Sequence, residues 1–142
     1  MVDVGVHRKG EVSLPVLLER LRKGLPETAG AIGCFTGVVR GRSASGEKVR
    51  FLSYEAAEEA AKRLKEIAEK IEKRPNLELV MIHHVVDDLK AGEDAIYVLV
   101  AGSGRKEVFK ALSDIMDLVK KDVPIWKKEV TAKGEHWAHE IH

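Results

Sequence analysis

The chain has one cysteine, Cys34, in 142 residues. It can form neither an intrachain disulfide nor a cysteine metal cluster. Aromatic residues make up only 5%, so the core must be mostly aliphatic. The stacking platforms of single-stranded nucleic-acid binders are excluded on the same ground. Lys and Arg number 24 against 23 Asp and Glu, a formal net charge of +1, which denies the chain a global basic field. No segment approaches the ~20 apolar residues of a membrane span. The opening stretch M-V-D-V-G-V-H-R-K-G lacks a signal-peptide core. Walker, G-x-S-x-G, C-x-x-C and H-E-x-x-H motifs are all missing. The expectation is a cytoplasmic globular protein, one domain over residues 1–142, with no nucleic-acid or membrane partner and any anion site local.

What is present is a regular alternation of strand and helix signals. Met1 to Val6 reads as a short strand. Ser13 is a candidate N-cap before Pro15, with Leu14, Leu17, Leu18 and Leu21 on one helical face and Gly24 and Pro26 as the stop. Ala29 to Arg40 is apolar and β-branched with glycines, predicting a buried strand bulged or closely approached at Gly33 or Gly37. Gly41 to Lys48 is a polar loop, and Val49 to Tyr54 a second strand. Glu55 to Arg74 predicts an amphipathic helix, with Ala57, Ala60, Ala61, Leu64, Ile67, Ala68 and Ile71 on one stripe.

Leu77 to Val86 and Ala95 to Ala101 read as strands. Arg105 to Lys121 reads as a helix with Val108, Phe109, Leu112, Ile115, Met116 and Val119 inward, and Pro124 beyond its end. Ile125 to Thr131 and His136 to Ile141 are predicted as tail strands. The order β-α-β-β-α-β-β-α-β-β, with short turns between successive strands, predicts an α+β fold rich in antiparallel pairing.

The richest segment for chemistry is K-K-D-V-P-I-W-K-K-E, from Lys120 to Glu129. At 100° per residue Lys120 falls at the edge of its helix's apolar stripe, beside Phe109 and Met116, while Lys121 points to solvent. A lysine complementing the helix dipole is the competing reading. Lys127 and Lys128 follow Pro124, which redirects the chain. Strand alternation then sends them to opposite faces, and paired lysines can depress one another's pKa. A solvated edge strand is the alternative. Arg40 closes a strand beside a flexible-looking loop, as a phosphate or carboxylate clamp would, or as an ordinary surface charge. Arg105 follows Gly102-Ser103-Gly104 at a helix start, where free N–H groups attract anions, although Ser103 can simply be an N-cap.

Arg105 and Lys120 lie fifteen positions apart on one helix, roughly 22 Å. They cannot grip one small molecule within one chain, so a shared site would need two subunits. Cys34, in an apolar run without a neighbouring cation, reads as buried and inert. His83 and His84 face opposite ways on a strand. His136, His139 and His142 recur every three residues with no acid to orient them, so no metal is expected.

Several stretches together resemble the large, catalytic subunit of molybdopterin synthase. They are Gly30-Ala31-Ile32, Phe35-Thr36-Gly37-Val38-Val39-Arg40, Leu52-Ser53-Tyr54-Glu55, Leu89-Lys90-Ala91-Gly92-Glu93, Ser103-Gly104-Arg105-Lys106-Glu107-Val108-Phe109 and Val123-Pro124-Ile125-Trp126-Lys127-Lys128-Glu129. They occur in the family's order over nearly the whole chain, and F-T-G-x-V-R with V-P-I-W-K-K-E is a specific combination. The resemblance implies an α/β-hammerhead with an antiparallel β subdomain, and a homodimer within a heterotetramer. It also implies a small ubiquitin-like partner whose C-terminal Gly-Gly carries a thiocarboxylate. The implied reaction inserts two sulfurs into cyclic pyranopterin monophosphate, giving molybdopterin, with no cofactor.

By position, Lys120 and Lys127 match the family's catalytic lysines, and Arg40 its substrate-binding arginine. Arg105 matches an anion-binding arginine supplied by the neighbouring subunit. Lys128, Glu129, Val39 and Gly104 are carried over as further substrate-binding positions. The chain departs from the family where S-x-H-R becomes Ser103-Gly104-Arg105, which removes one histidine contact to the anion. It departs again where H-R-x-G becomes His84-Val85-Val86-Asp87. The competing reading is a non-catalytic dimeric module that binds the ubiquitin-like sulfur carrier or a phosphorylated metabolite.

Overall fold

A computed structural model describes residues 1–137. In chain order the elements are β1 (Val2–His7), α1 (Leu14–Lys23), β2 (Ala31–Val38), β3 (Val49–Ala56), α2 (Ala60–Glu72), β4 (Leu77–Val85), β5 (Asp88–Leu89), β6 (Asp94–Gly102), α3 (Arg105–Asp122), β7 (Ile125–Thr131) and β8 (Gly134–Trp137). They build two four-stranded sheets, ordered β1-β4-β6-β2 and β5-β3-β7-β8. Among the described residues only β1 and β4 pair in parallel; the other ladders are antiparallel. The fold is α+β, as the element order predicts.

The first sheet is covered on both faces. β4 and β6 are accordingly buried along nearly their whole length, the pattern of strands with no solvent side. On one face Val80, Ile82, Val98 and Val100 meet Leu64, Ile67 and Ile71 of α2, and Val108, Leu112 and Ile115 of α3. On the other face Leu79, Met81 and Leu99 meet Leu17 and Leu21 of α1. His83 belongs to this α1 face, while His84 has the opposite parity.

Gly33 has a packing reason. A Cβ there would lie 2.5 Å from Val108 Cγ1 and 2.8 Å from Leu112 Cδ1, so only glycine lets α3 lie this close to β2. The irregularity in β2 falls between Gly37 and Val38, the second of the two predicted positions.

Several expectations are corrected. β2 is not a buried strand: its residues are half-buried or exposed, because among the described residues it is the edge of its sheet, and Ala61 of the expected α2 stripe is exposed. β3 runs on to Ala56 because its ladder with β7 continues through Glu55↔Trp126 and Ala56↔Ile125, so α2 begins at Ala60 rather than at Glu55. β5, a two-residue strand, has no periodicity to announce it. Phe109 is 67% exposed rather than inward, and Cys34 is exposed rather than buried. Both lie at the β2 side of the first sheet, where no further strand follows among the described residues. The N-cap of α3 is Gly104, and Ser103 Oγ instead lies 3.5 Å from the Asn76 carbonyl. His139, His142 and the end of the predicted tail strand lie outside the described residues. Among those described, no helix is long and apolar enough to cross a membrane.

Candidate functional site

Where the end of α3 meets the second sheet, a cavity of about 380 Å³ opens. Its construction follows from local rules. Val119 and Val123 are buried and fix the rotation of the last helical turn. Lys120, one step round from Val119, is held half-buried at the cavity wall, and Lys121 is exposed. Val123 then leaves helical geometry with ψ 124°, as a residue before proline does. Pro124 sends the chain into β7.

Alternation along β7 places Lys127 and Glu129 on the cavity side and Lys128 on the other. Across the ladder Tyr54 stands opposite Lys127, and Leu52 opposite Glu129. All four line the cavity. Arg40 and Arg42 enter from the segment after β2, and His84 from the end of β4. The His84 ring meets Tyr54 edge-on at 5.4 Å between centroids, and its Nδ1 lies 3.0 Å from the Val85 carbonyl. Ile96, Met116, Val119 and Val123 supply an apolar wall.

The arrangement suits a small, anionic, partly apolar molecule. Four cations, Arg40, Arg42, Lys120 and Lys127, share the lining with one carboxylate, Glu129. Glu129 is only 8% exposed. Charge-assisted hydrogen bonds are strong in such a partly desolvated setting.

The sequence-derived candidates separate in space. Lys120, Lys127, Arg40 and Glu129 come together in the cavity. Lys128 does not: its Nζ lies 3.5 Å from Glu135 and 5.1 Å from the Trp137 ring centroid, on the other face of β7. The Val39 side chain is 3% exposed and packed in the α1-side core. Its N–H donates to the Glu93 carbonyl and its own carbonyl accepts from Gly92. Gly104 and the exposed Arg105 begin α3, roughly 22 Å from Lys120 along the helix axis.

Arg42 and Tyr54 are not among the sequence-derived candidates, and His84 enters there only as a histidine weighed for metal and as a departure from the family pattern. Parity along β3 and β4 carries a signal for the last two. Arg42 had only its two-residue spacing from Arg40. Cys34 lies outside the cavity lining, and partial burial pushes its thiol pKa up, which keeps it protonated and poorly nucleophilic. Among the described residues no group of three or more His, Cys, Asp or Glu is placed to hold a metal.

Comparison with known proteins follows the same outline. A family model described as MoaE protein matches residues 6–122. A probable molybdopterin synthase of Haloferax volcanii is 34% identical over 134 residues, covering 91% of this chain but 51% of that protein. This chain thus spans about half the length of that relative. The molybdopterin synthase catalytic subunit of Pyrococcus abyssi is 40% identical over 111 residues, 78% of this chain and 74% of that one. Among solved structures, the molybdopterin synthase of Staphylococcus aureus superposes with a TM-score of 0.83 at 28% identity, covering 95% of this chain and 96% of that one. A complex of subunits 1 and 2 of the molybdopterin-converting factor of Helicobacter pylori shares the fold, with a TM-score of 0.72 at 18% identity over 98% of this chain and 90% of that one.

Proposed function

The chain belongs to the MoaE family, whose relatives include molybdopterin synthase catalytic subunits, and on that premise we propose that it converts cyclic pyranopterin monophosphate to molybdopterin. In this reading each of the two sulfurs comes from the C-terminal thiocarboxylate of a small ubiquitin-like subunit, so two charged copies of that subunit are consumed, each leaving as a carboxylate, for every molecule of product. The observation that carries it is the convergence of Lys120 and Lys127, from two successive elements, on one cavity that also holds Arg40.

Each residue then has a task that follows from its chemistry. Arg40 binds the substrate's phosphate through paired N–H donors. Lys120, at the helix end, polarises or transiently captures the terminal carbonyl of the small subunit. Lys127 stabilises the negative charge that develops as sulfur is transferred. Glu129, buried beside these cations, helps to hold the charge pattern of the cavity. The sulfur arrives on the partner, so Cys34 needs no chemical role. Lys128, turned to the other face of β7, contributes at most through strand packing. Val39 acts through its backbone and its place in the core.

The catalytic subunit works as a homodimer within a cytoplasmic heterotetramer, with Arg105 and Gly104 of one copy completing the site of the other. Two features support this. Arg105 is too far from Lys120 to serve the same molecule within one chain. The exposed Phe35, Val38 and Phe109 also give the β2 side of the molecule an apolar character that suits a subunit contact.

The test is reconstitution. The purified chain, a thiocarboxylated small subunit and cyclic pyranopterin monophosphate are mixed, and molybdopterin is sought by mass. Product formation dependent on all three components is expected. Absence of product with a correctly folded complex would refute the reading.

A further inference from the structure

Arg42 is built into the cavity by a hairpin of its own. The segment joining β2 to β3 folds back on itself, with the Ser43 N–H donating to the Glu47 carbonyl at 2.8 Å, and the Gly46 N–H to the Ser43 carbonyl at 3.0 Å. Arg42 and Lys48 form an antiparallel bridge, and the Val49 N–H donates to the Gly41 carbonyl at 3.0 Å. Gly46, at φ +86°, makes the reversal that closes this hairpin. The backbone of Arg42 is therefore pinned by pairings on either side of it.

Its guanidinium is not committed in the same way. Among the described residues the side chain makes one hydrogen bond, a long 3.4 Å contact from Nη1 to the Gly46 carbonyl, and no ion pair. A guanidinium offers five donors, so most of this group's capacity remains for a ligand. It lines the cavity together with Arg40, Lys120 and Lys127. Two lysines suffice for the carbonyl end of the proposed reaction. A second arginine beside Arg40 matches a group with several acceptor oxygens, such as a phosphate ester.

We propose that Arg42 is a substrate-binding residue, which forms with Arg40 a two-arginine clamp on the phosphate of the small-molecule substrate. This rests on the function proposed above and adds to it the residue that sets substrate affinity.

The experiment compares the wild type with Arg42→Gln and Arg42→Lys, each assembled with the thiocarboxylated small subunit. Losing one charge-assisted contact is expected to raise KM for the cyclic pterin phosphate roughly tenfold in Arg42→Gln. Expected with it are a kcat within about twofold, unchanged affinity for the small subunit, and partial recovery in Arg42→Lys. An unchanged KM overturns the clamp. So does an unchanged KM with weakened small-subunit binding, which would assign Arg42 to the partner's tail. Thermal midpoints without ligand verify that the variants fold.

If the wild type makes no molybdopterin, the proposed reaction falls and the clamp is judged separately. Pyrophosphate should then raise the wild-type thermal midpoint and leave that of Arg42→Gln unmoved. Equal protection of both would overturn it.

Discussion

Tyr54 stands directly opposite Lys127 across the β3–β7 ladder, so a strand that precedes α2 and a strand that follows α3 present their side chains to one cavity. The ladder places alternate residues of β7 on opposite faces, and this separates two adjacent lysines by function. Lys127→Ala is expected to lower turnover by about a hundredfold or more, in the range of lost transition-state charge stabilisation. Lys128→Ala, which removes a partly exposed pairing with Glu135 on the face away from the cavity, should stay within about twofold. Steady-state kinetics of the two variants checks this, and equal losses would mean that the face assignment is wrong.

Cys34 is exposed, but its thiol is held protonated by partial burial and it lies away from the cavity lining. Cys34→Ser should therefore retain turnover within about twofold. Abolished turnover would make the chain itself the sulfur carrier, in place of the partner.

Much of this arrangement was legible in the residues. The amphipathic stripes of α1, α2 and α3 and the β-branched runs announce every element except β5, which is too short to carry a period, and β8, which starts at Gly134, two residues before the expected tail strand, and holds no β-branched residue. Helix phase separated Lys120 from Lys121, and strand alternation separated Lys127 from Lys128. Tyr54 and His84 were harder, because their place depends on the register of β3 on β7 and on the meeting of two sheets. Arg42 depends on a hairpin built by backbone pairing, which no side-chain pattern records. Phe109 and Cys34 are exposed for one reason: an apolar stripe or run is buried only where a neighbour covers it, and β2 ends its sheet among the described residues.

His83 gives the fold a pH dependence. The residue is 2% exposed, and its pKa is lowered from 6.5 to about 4. Burial is the main cause. The nearby charges of His7 and Arg20 add to it, while Asp3, whose Oδ1 lies 3.3 Å from Nε2, opposes it. Above about pH 6.5 the ring is neutral in both folded and unfolded chains. Between there and about pH 4 the unfolded chain takes a proton that the fold refuses, so stability falls with falling pH.

The full effect is about 3 kcal/mol, reached near pH 4 and flat below it. Urea midpoints from pH 7.5 to 4 for the wild type and His83→Gln measure it. The gap between the two curves should narrow as pH falls, and parallel curves would contradict the assignment. Taking the difference removes the carboxylates Asp87, Glu93 and Asp114, whose lowered pKa values affect both proteins alike.

Gly33 sets the distance between β2 and α3. Gly33→Ala puts a methyl group within 2.5 Å of Val108 Cγ1. The helix must move or Val108 must change rotamer, at a cost of about 1–3 kcal/mol. Thermal or urea denaturation reads this, and Val108→Ala in the same chain should recover part of the loss. No destabilisation in the single variant would mean that α3 is not held at this distance.

The central claim is that the cavity between the end of α3 and β7 is where sulfur is transferred, with Lys120 at its reactive end. The most direct measurement is turnover by Lys120→Ala in complex with the thiocarboxylated small subunit, alongside the affinity of that complex. The account predicts that molybdopterin formation is abolished while small-subunit affinity stays within about threefold, since one side chain of a large interface is lost. Turnover at the wild-type rate would contradict it.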